Sequence, residues 1–581
     1  MDTYSIPDQA RQLLYDGILN NRRQTGLPAE IDKCAAVVTF EGSPLPSIPI
    51  NWRFAESMAA LKAMEAAMIN VLLGRKYNSD PLPAVINTDH AQLLFMSSLV
   101  LTVDPGAEFQ VTPTPVRELS AKYSHHFPLQ DVHNMASSLY RRAATNIYKT
   151  ADDRFIHLHG SLNPGPTIAA LGLPPDRPEL DNLAASYQPY IDKCMEFRAD
   201  ALETLLNEQA KQACTIANTW EAYRDSAHGR ANADVNLFEV HHRPVENQAP
   251  CWWSSAGATA TLQRPLAGLK IVDLTRVIAG PSISRGLAEL GASVMRATAP
   301  HLPDFTGLHP DLNWGKWNCC LDLRQAEDRE KLRKLIQEAD VVVDGYRPGV
   351  FDKYGFGMEN VLEQCRERKF GVIYARENSY GWKGEWQHRS GWQPISDANT
   401  GISFGFGRAM GHDEPVTPVF PNSDYCTGVA GCVGVLQALI QRAERGGSFV
   451  VDIALNYYNA WLARQCGEYP PAVWEDVLKR NGGRAFRHFQ SMNVTVPAYL
   501  GMIQANAANT LFRPEFFERR RSGALGLDMQ VVRPGIRFPK DTVELRYNVG
   551  TRGNGVDSPF WPRDLSVEVV EEDTEPSPQL S

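Results

Sequence analysis

The chain has 581 residues, 58 Lys and Arg against 67 Asp and Glu, a net charge of -9, and 43% hydrophobic residues. That length holds several domain-sized units, and the apolar fraction excludes wholesale disorder. The acidic balance argues against nucleic acid as a partner, because phosphate neutralisation needs the opposite sign.

The opening residues lack the basic-then-apolar layout of a signal peptide, and the longest nearly apolar run, Leu93 to Val103, is too short to span a bilayer. Ten scattered cysteines without a C-x-x-C pair suit reduced thiols. The expectation is a cytoplasmic protein with no membrane partner.

In chain order, residues 55–100 read as an acidic residue, an apolar helix, a basic turn, a strand and a second helix. Residues 150–250 are more irregular, with helices expected at 179–227, and 243–264 read as a linker. The clearest architecture follows. IVDLT (271–275) is a strand, SISRGLAELG a helix ending at Gly291, and ASVMRA a second strand. DREKLRKLIQEADVVVDG repeats helix then strand, and FGVIYARENSYG adds another strand. This alternation predicts an α/β fold with a doubly wound parallel sheet, whose ligands sit beyond the carboxyl ends of the strands. GISFGFGRAMG (401–411) is Gly-rich but lacks the pattern of a phosphate-cradling loop. SDYCTGVAGCVGVLQALIQRAERGG (423–447) predicts a long helix, whose Gly428, Ala430, Gly431 and Gly434 imply a close neighbouring backbone. Glu56 in the first helix aligns with Asp424 in this one, a weak internal repeat.

Three blocks carry a family resemblance. PLAGLKIVDLTRVIAGP (265–281), ADVVVDGYRPG (339–349) and SDYCTG (423–428) with its following helix and strand resemble family III CoA-transferases, the CaiB/BaiF group, in which the last block bears the nucleophile. The resemblance implies a Rossmann-like sheet and transfer of CoA from an acyl-CoA donor to a carboxylic acid acceptor. Asp424 would carry it through a mixed anhydride and an aspartyl-CoA thioester. Without the resemblance, Asp424 reads more readily as a helix N-cap, and the three-block match reverses that. The resemblance places Arg276, Val277, Ile278 and Ala279 in a first CoA-binding loop and Gly345 and Tyr346 in a second. Lys353 takes the place of a phosphate-contacting arginine, and Gln393 stands where some transferases carry a Glu. CoA is thus expected as substrate, with no resident cofactor.

The family's Glu-Arg-Pro triplet is replaced by Thr298-Ala299-Pro300, so one phosphate contact is expected to come from elsewhere. Relatives that racemise α-methylacyl-CoA carry a His where Trp392 stands, and Trp cannot titrate, so transfer is favoured over racemisation. An acyl-CoA racemase or isomerase, and an inactive CoA-binding scaffold, remain the alternatives. His157 and His159 share a strand face but lack a third metal ligand nearby in sequence, so no metal is expected. The expected organisation is a divergent transferase-like region (1–242), a linker (243–264), the transferase core (265–480), a region packing back on it (481–565) and an acidic tail (566–581). Family members interlock as two-chain rings, so this chain is expected to be a monomer with internally fused halves or a homodimer. Large two-part chains of this kind also suggest a metabolite biosynthetic pathway.

Overall fold

The computed structural model describes residues 4–21, 26–254 and 261–571. β1 (Val38–Glu41) precedes α1 (Phe54–Tyr77), and β2 (Ala84–Asn87) pairs parallel with β1. A small antiparallel sheet follows, formed by β3 (Asn146–Lys149), β4 (Phe155–His159) and β5 (Ala213–Ile216). After β6 (Phe238–Arg243) come β7 (Lys270–Leu274), α2 (Ala279–Glu289), β8 (Ser293–Thr298) and β9 (Lys316–Cys320). The chain continues through α3 (Ala326–Glu338), β10 (Val341–Asp344), β11 (Ile373–Asn378), α4 (Gln393–Asn399), α5 (Asn422–Arg445) and β12 (Ser448–Ala454).

The main sheet has seven strands in the order β9-β8-β7-β10-β11-β12-β6. Six run parallel, and β6 joins β12 antiparallel, making a mixed sheet in an α/β fold. Alternate residues of the strands enter opposite cores, as the period of two requires. Ile271, Val341, Val343, Ile373, Ala375 and Val451 face one core, and Val272, Leu274, Val342 and Tyr374 the other. With both faces covered, the strands can be nearly all apolar, which is why VVVD lacks alternation. The helix α3 reads directly from its sequence. Glu327 and Asp328 lie in its first turn, and Leu332, Leu335 and Ile336 form its buried stripe.

Several expectations need correction. The boundary at 242 falls inside β6, so the N-terminal region completes the main sheet. The 243–264 segment is not a free linker where it is described: Gln248 and Trp253 are buried, and Gln248 donates to the Cys365 carbonyl at 2.8 Å. Residues 261–264 pack through Arg264, which donates to the Glu544 carbonyl. The helices expected at 179–227 are interrupted by strand β5, whose residues ACTI are β-prone but too few to show periodicity. The start of the expected acidic tail packs inward, with Val570 buried and its N–H on Asp557 at 3.0 Å. The remainder of that tail lies outside the described residues.

The two longest helices, α1 and α5, pack together in the larger core. Each is long and apolar enough to cross a membrane, yet 94% of the apolar window in each is buried inside the protein. Their composition therefore reports core position. Both have 24 residues, and Glu56 and Asp424 are each the third residue of their helix. The repeat seen in the sequence thus has equivalent helices.

Candidate active site

The helix α5 leads from the carboxyl end of β11 back to the start of β12, so its N-terminus lies at the carboxyl edge of the sheet. The loops after β7 and β10 open on the same edge, where the strand order reverses. Asp424 is not the N-cap: Pro421 holds that position, and no side chain caps the helix. Its carboxylate is half-buried and makes no hydrogen bond or ion pair among the described residues. The free N–H groups of the first turn favour its anion. Against that, burial first, then the charges of Glu377 and Asp397, hold its pKa well above the ordinary carboxylate range.

Those neighbours form a cluster that the motif blocks do not reveal. Glu377, next to last in β11 and on the face that packs against α5, is only 9% exposed, and burial followed by Asp344 pushes its pKa up to about 8. Asp397, one turn after Gln393 on α4, is pushed up to about 7 by burial. It accepts from Asn459 Nδ2 at 2.8 Å, from Ser423 Oγ at 3.4 Å and from Gln393 Nε2. Gln393 thus commits its amide N–H to Asp397, within the carboxyl cluster. Asp344, at the end of β10, is raised to about 7, chiefly by burial, and accepts from the Tyr374 hydroxyl at 2.9 Å. Like charges this close cannot all ionise near neutrality, so the cluster titrates as a unit.

The two expected CoA loops touch. Arg276 lies over the Tyr346 ring at 4.6 Å and donates to the Pro303 carbonyl at 2.5 Å. Val277 has φ +71, a left-handed conformation that a β-branched residue adopts only under strain of about 1–3 kcal/mol. Ile278 and Ala279 then lead into α2. A Cβ at Gly345 would stand 3.3 Å from Thr275 and 3.6 Å from Glu377 Oε2, so the second loop runs against the first loop and the carboxyl cluster. Lys353 is exposed beside the Tyr354 ring and makes no hydrogen bond or ion pair among the described residues. It is not joined to the other expected site residues by any described contact. Arg347 is an addition to the expected set: burial and the neighbouring Arg276 hold its pKa down, and neither guanidinium pairs with a carboxylate among the described residues. Two uncompensated cations side by side suit an anionic ligand.

The small sheet forms the facing wall. Arg347 donates to the Lys211 carbonyl at 2.8 Å, and Asn399 of α4 donates to Thr215 of β5 at 3.0 Å. The His159 ring stacks on Trp392 at 5.0 Å with a 3° interplanar angle. The Ser161 N–H donates to His159 Nδ1 at 3.0 Å, and Trp392 Nε1 donates to Ser161 Oγ at 2.9 Å. Neutral His159 thus carries its proton on Nε2. The stacked rings of His157 and His159 lie 6.5 Å apart, with one of the four nitrogens already occupied, an arrangement unlike a metal pair.

Trp392 does not leave Asp424 without a titratable partner, contrary to expectation, because Glu377 and Asp397 supply two. A charged residue closing an apolar strand at the carboxyl edge, as in YAREN, was the available signal for Glu377. In the equivalent position on α1, Glu56 is fully buried and accepts from Tyr4 and Tyr469, with Arg53 at 3.6 Å. That carboxylate is plugged by its own chain.

Comparison with known proteins agrees with this arrangement. The model of CoA-transferase family III matches residues 266–498. The acetyl-coenzyme A transferase nodX of Hypoxylon pulicicidum is 49% identical over 98% of this chain and 96% of its own. An acyl-CoA transferase of Gibberella moniliformis is 31% identical over 88% of each chain. The succinyl-CoA–L-malate CoA-transferase beta subunit of Chloroflexus aurantiacus is 32% identical over 45% of this chain and 67% of that one. With a near-full-length relative at half identity and the three motif blocks gathered at one sheet edge, the chain belongs to the family III CoA-transferases.

Proposed function

We propose that the protein moves CoA from an acyl-CoA donor to a carboxylic acid acceptor, with Asp424 as the acyl acceptor. The observation that carries this reading is the position of Asp424: an unpartnered, half-buried carboxylate in the first turn of α5, beside the carboxyl-edge loops. Its oxygen attacks the thioester carbonyl, giving a mixed anhydride and CoA thiolate. The thiolate then attacks the aspartyl carbonyl, leaving aspartyl-CoA thioester and the free donor acid. The acceptor acid runs both steps in reverse. The N–H groups at the start of α5 supply donors for the developing oxyanions. Incubation with acyl-CoA followed by hydroxylamine or borohydride tests the reading, with mass spectrometry expected to find modified Asp424. Unmodified Asp424 with turnover intact overturns it.

The strand order supports a doubly wound, Rossmann-like sheet, with Arg276, Val277, Ile278, Ala279, Gly345 and Tyr346 at its switch point. Arg276 and Arg347 together suit the phosphates of CoA, and Arg347 supplies a cation that the chain lacks at Thr298-Ala299-Pro300. Replacing Arg347 by Ala is expected to raise KM for acyl-CoA about tenfold to a hundredfold, the scale of removing one charged hydrogen-bond partner. Steady-state kinetics at two ionic strengths checks this, with kcat unchanged within about threefold.

The name of one relative, an acetyl-coenzyme A transferase, supports a short acyl donor. The plugged Glu56 supports one working site per chain, with the region before β6 standing in for a second subunit. Light scattering is then expected to give the monomer mass of 64.6 kDa. An inseparable homodimer would count against internal substitution. Glu377 and Asp397 favour one second reading, acyl-CoA isomerisation, which deuterium uptake from solvent at the α-carbon separates from transfer.

A further inference from the structure

We propose that Glu377 is a second catalytic group: its carboxylic acid protonates the CoA sulfur as it is expelled and takes that proton back when the sulfur attacks the anhydride. The proposal rests on the reading of Asp424 as acyl acceptor.

Geometry carries it. Glu377, the residue before the last of β11, is nine-tenths buried, and its side chain makes no hydrogen bond or ion pair among the described residues. Its Oε2 lies 3.6 Å from the position a Cβ would take on Gly345, in the second expected CoA-binding loop. Its charge is felt by Asp424. An unpartnered carboxyl so placed lies beside both the nucleophile and the second expected CoA-binding loop. The titratable groups facing it are all acidic: Asp344 on β10 and Asp424 on α5, with Asp397 on α4 also bearing on Asp424. No Lys, Arg or His pairs with it among the described residues. Such surroundings keep it protonated near neutrality, as burial and its neighbours dictate.

The steps balance. In the first, a bond forms between Asp424 oxygen and the acyl carbon while the carbon–sulfur bond breaks. The sulfur leaves with the electron pair and takes the Glu377 proton, giving CoA thiol and Glu377 carboxylate. Acylated Asp424 no longer carries charge, so the new carboxylate meets less repulsion than before. In the second, Glu377 removes the thiol proton as sulfur bonds to the aspartyl carbon, and the donor acid departs as carboxylate. No proton is gained or lost overall.

The experiment uses the full chain and acetyl-, propionyl- and succinyl-CoA, taking the best wild-type donor for the variants. Rapid-quench mass spectrometry follows acylation of Asp424. Glu377→Gln keeps the shape and cannot give up a proton. It is expected to slow acylation from acyl-CoA about a hundredfold, the scale of a missing general acid, with KM within about threefold. With the matching acyl ester of 4-nitrothiophenol, whose thiolate leaves without a proton, the variant should acylate as fast as wild type. Glu377→Asp should restore part of the loss. Wild-type activity should fall as pH rises through about 8, as the coupled cluster loses the proton that Glu377 holds, and Glu377→Gln should lack that limb. An equal loss with both donors, or no loss with either, overturns the role of Glu377 while leaving labelled Asp424 standing. Absence of any label on wild-type Asp424 overturns the underlying reading and this one with it.

Discussion

Replacement of Asp424 by Asn is expected to lower turnover at least ~10³-fold while leaving the fold intact, because the nucleophile itself is removed. Asn matches Asp in shape and keeps a polar side chain in the first helical turn. It cannot form an anhydride with the donor acyl group. The fold has no stake in the charge: the carboxylate pairs with no cation among the described residues and faces Glu377 and Asp397. Removing a buried like charge relieves repulsion, so the melting temperature of Asp424→Asn should equal or exceed that of wild type. Activity and thermal stability measured on one preparation separate impaired chemistry from impaired structure. Turnover within about tenfold of wild type would sink the proposed function. A large fall in melting temperature would instead make Asp424 part of the scaffold.

How far the sequence reached depends on the kind of signal each element carries. The strands β7, β8, β10 and β11 were legible because each carries a short β-prone apolar stretch, Ile271-Val272, Val294-Met295, Val341–Val343 and Ile373–Ala375, adjoining a helix with its own stripe or a breaker. Asp424 was legible only through the three motif blocks, since one Asp near a helix start is common. The carboxyl cluster was not legible. Asp344, Glu377, Asp397 and Asp424 come from four separate elements and meet only when the sheet and its helices assemble. The small sheet was hidden for a similar reason. β3, β4 and β5 have four or five residues each, and the third arrives after 53 intervening residues containing helices. The Gly-rich segment at 401–411, which lacks the phosphate-loop pattern, forms the helix Ile402–Ala409, whose Gly405 and Gly407 sit against Trp52 and Glu414. Those glycines serve packing.

The Gly-rich face of α5, by contrast, predicts a second large effect. A Cβ on Gly428 would lie 2.4 Å from Ser282 Cβ and 3.4 Å from the Ala279 carbonyl oxygen, so α2 and α5 meet backbone to backbone there. Gly428→Ala is expected to destabilise the protein by about 1–3 kcal/mol, since the helices must part to admit the methyl group. The functional loss should exceed what that figure suggests. Asp424 lies one turn before Gly428 on α5, and α2 begins directly after the Arg276–Ile278 loop, so parting the helices moves nucleophile and loop relative to each other. A displacement of about 1 Å is enough to lower activity about 10²-fold. Gly501→Ala is the control, because its Cβ would enter open space in a helix elsewhere. It should leave activity unchanged and raise stability by up to ~1 kcal/mol, the helix-propensity gain of Ala over Gly. Ser282→Gly combined with Gly428→Ala should recover part of both losses, because the nearest clash is with the Ser282 side chain. If the double variant is no better than Gly428→Ala alone, the packing of α2 on α5 does not set the position of Asp424.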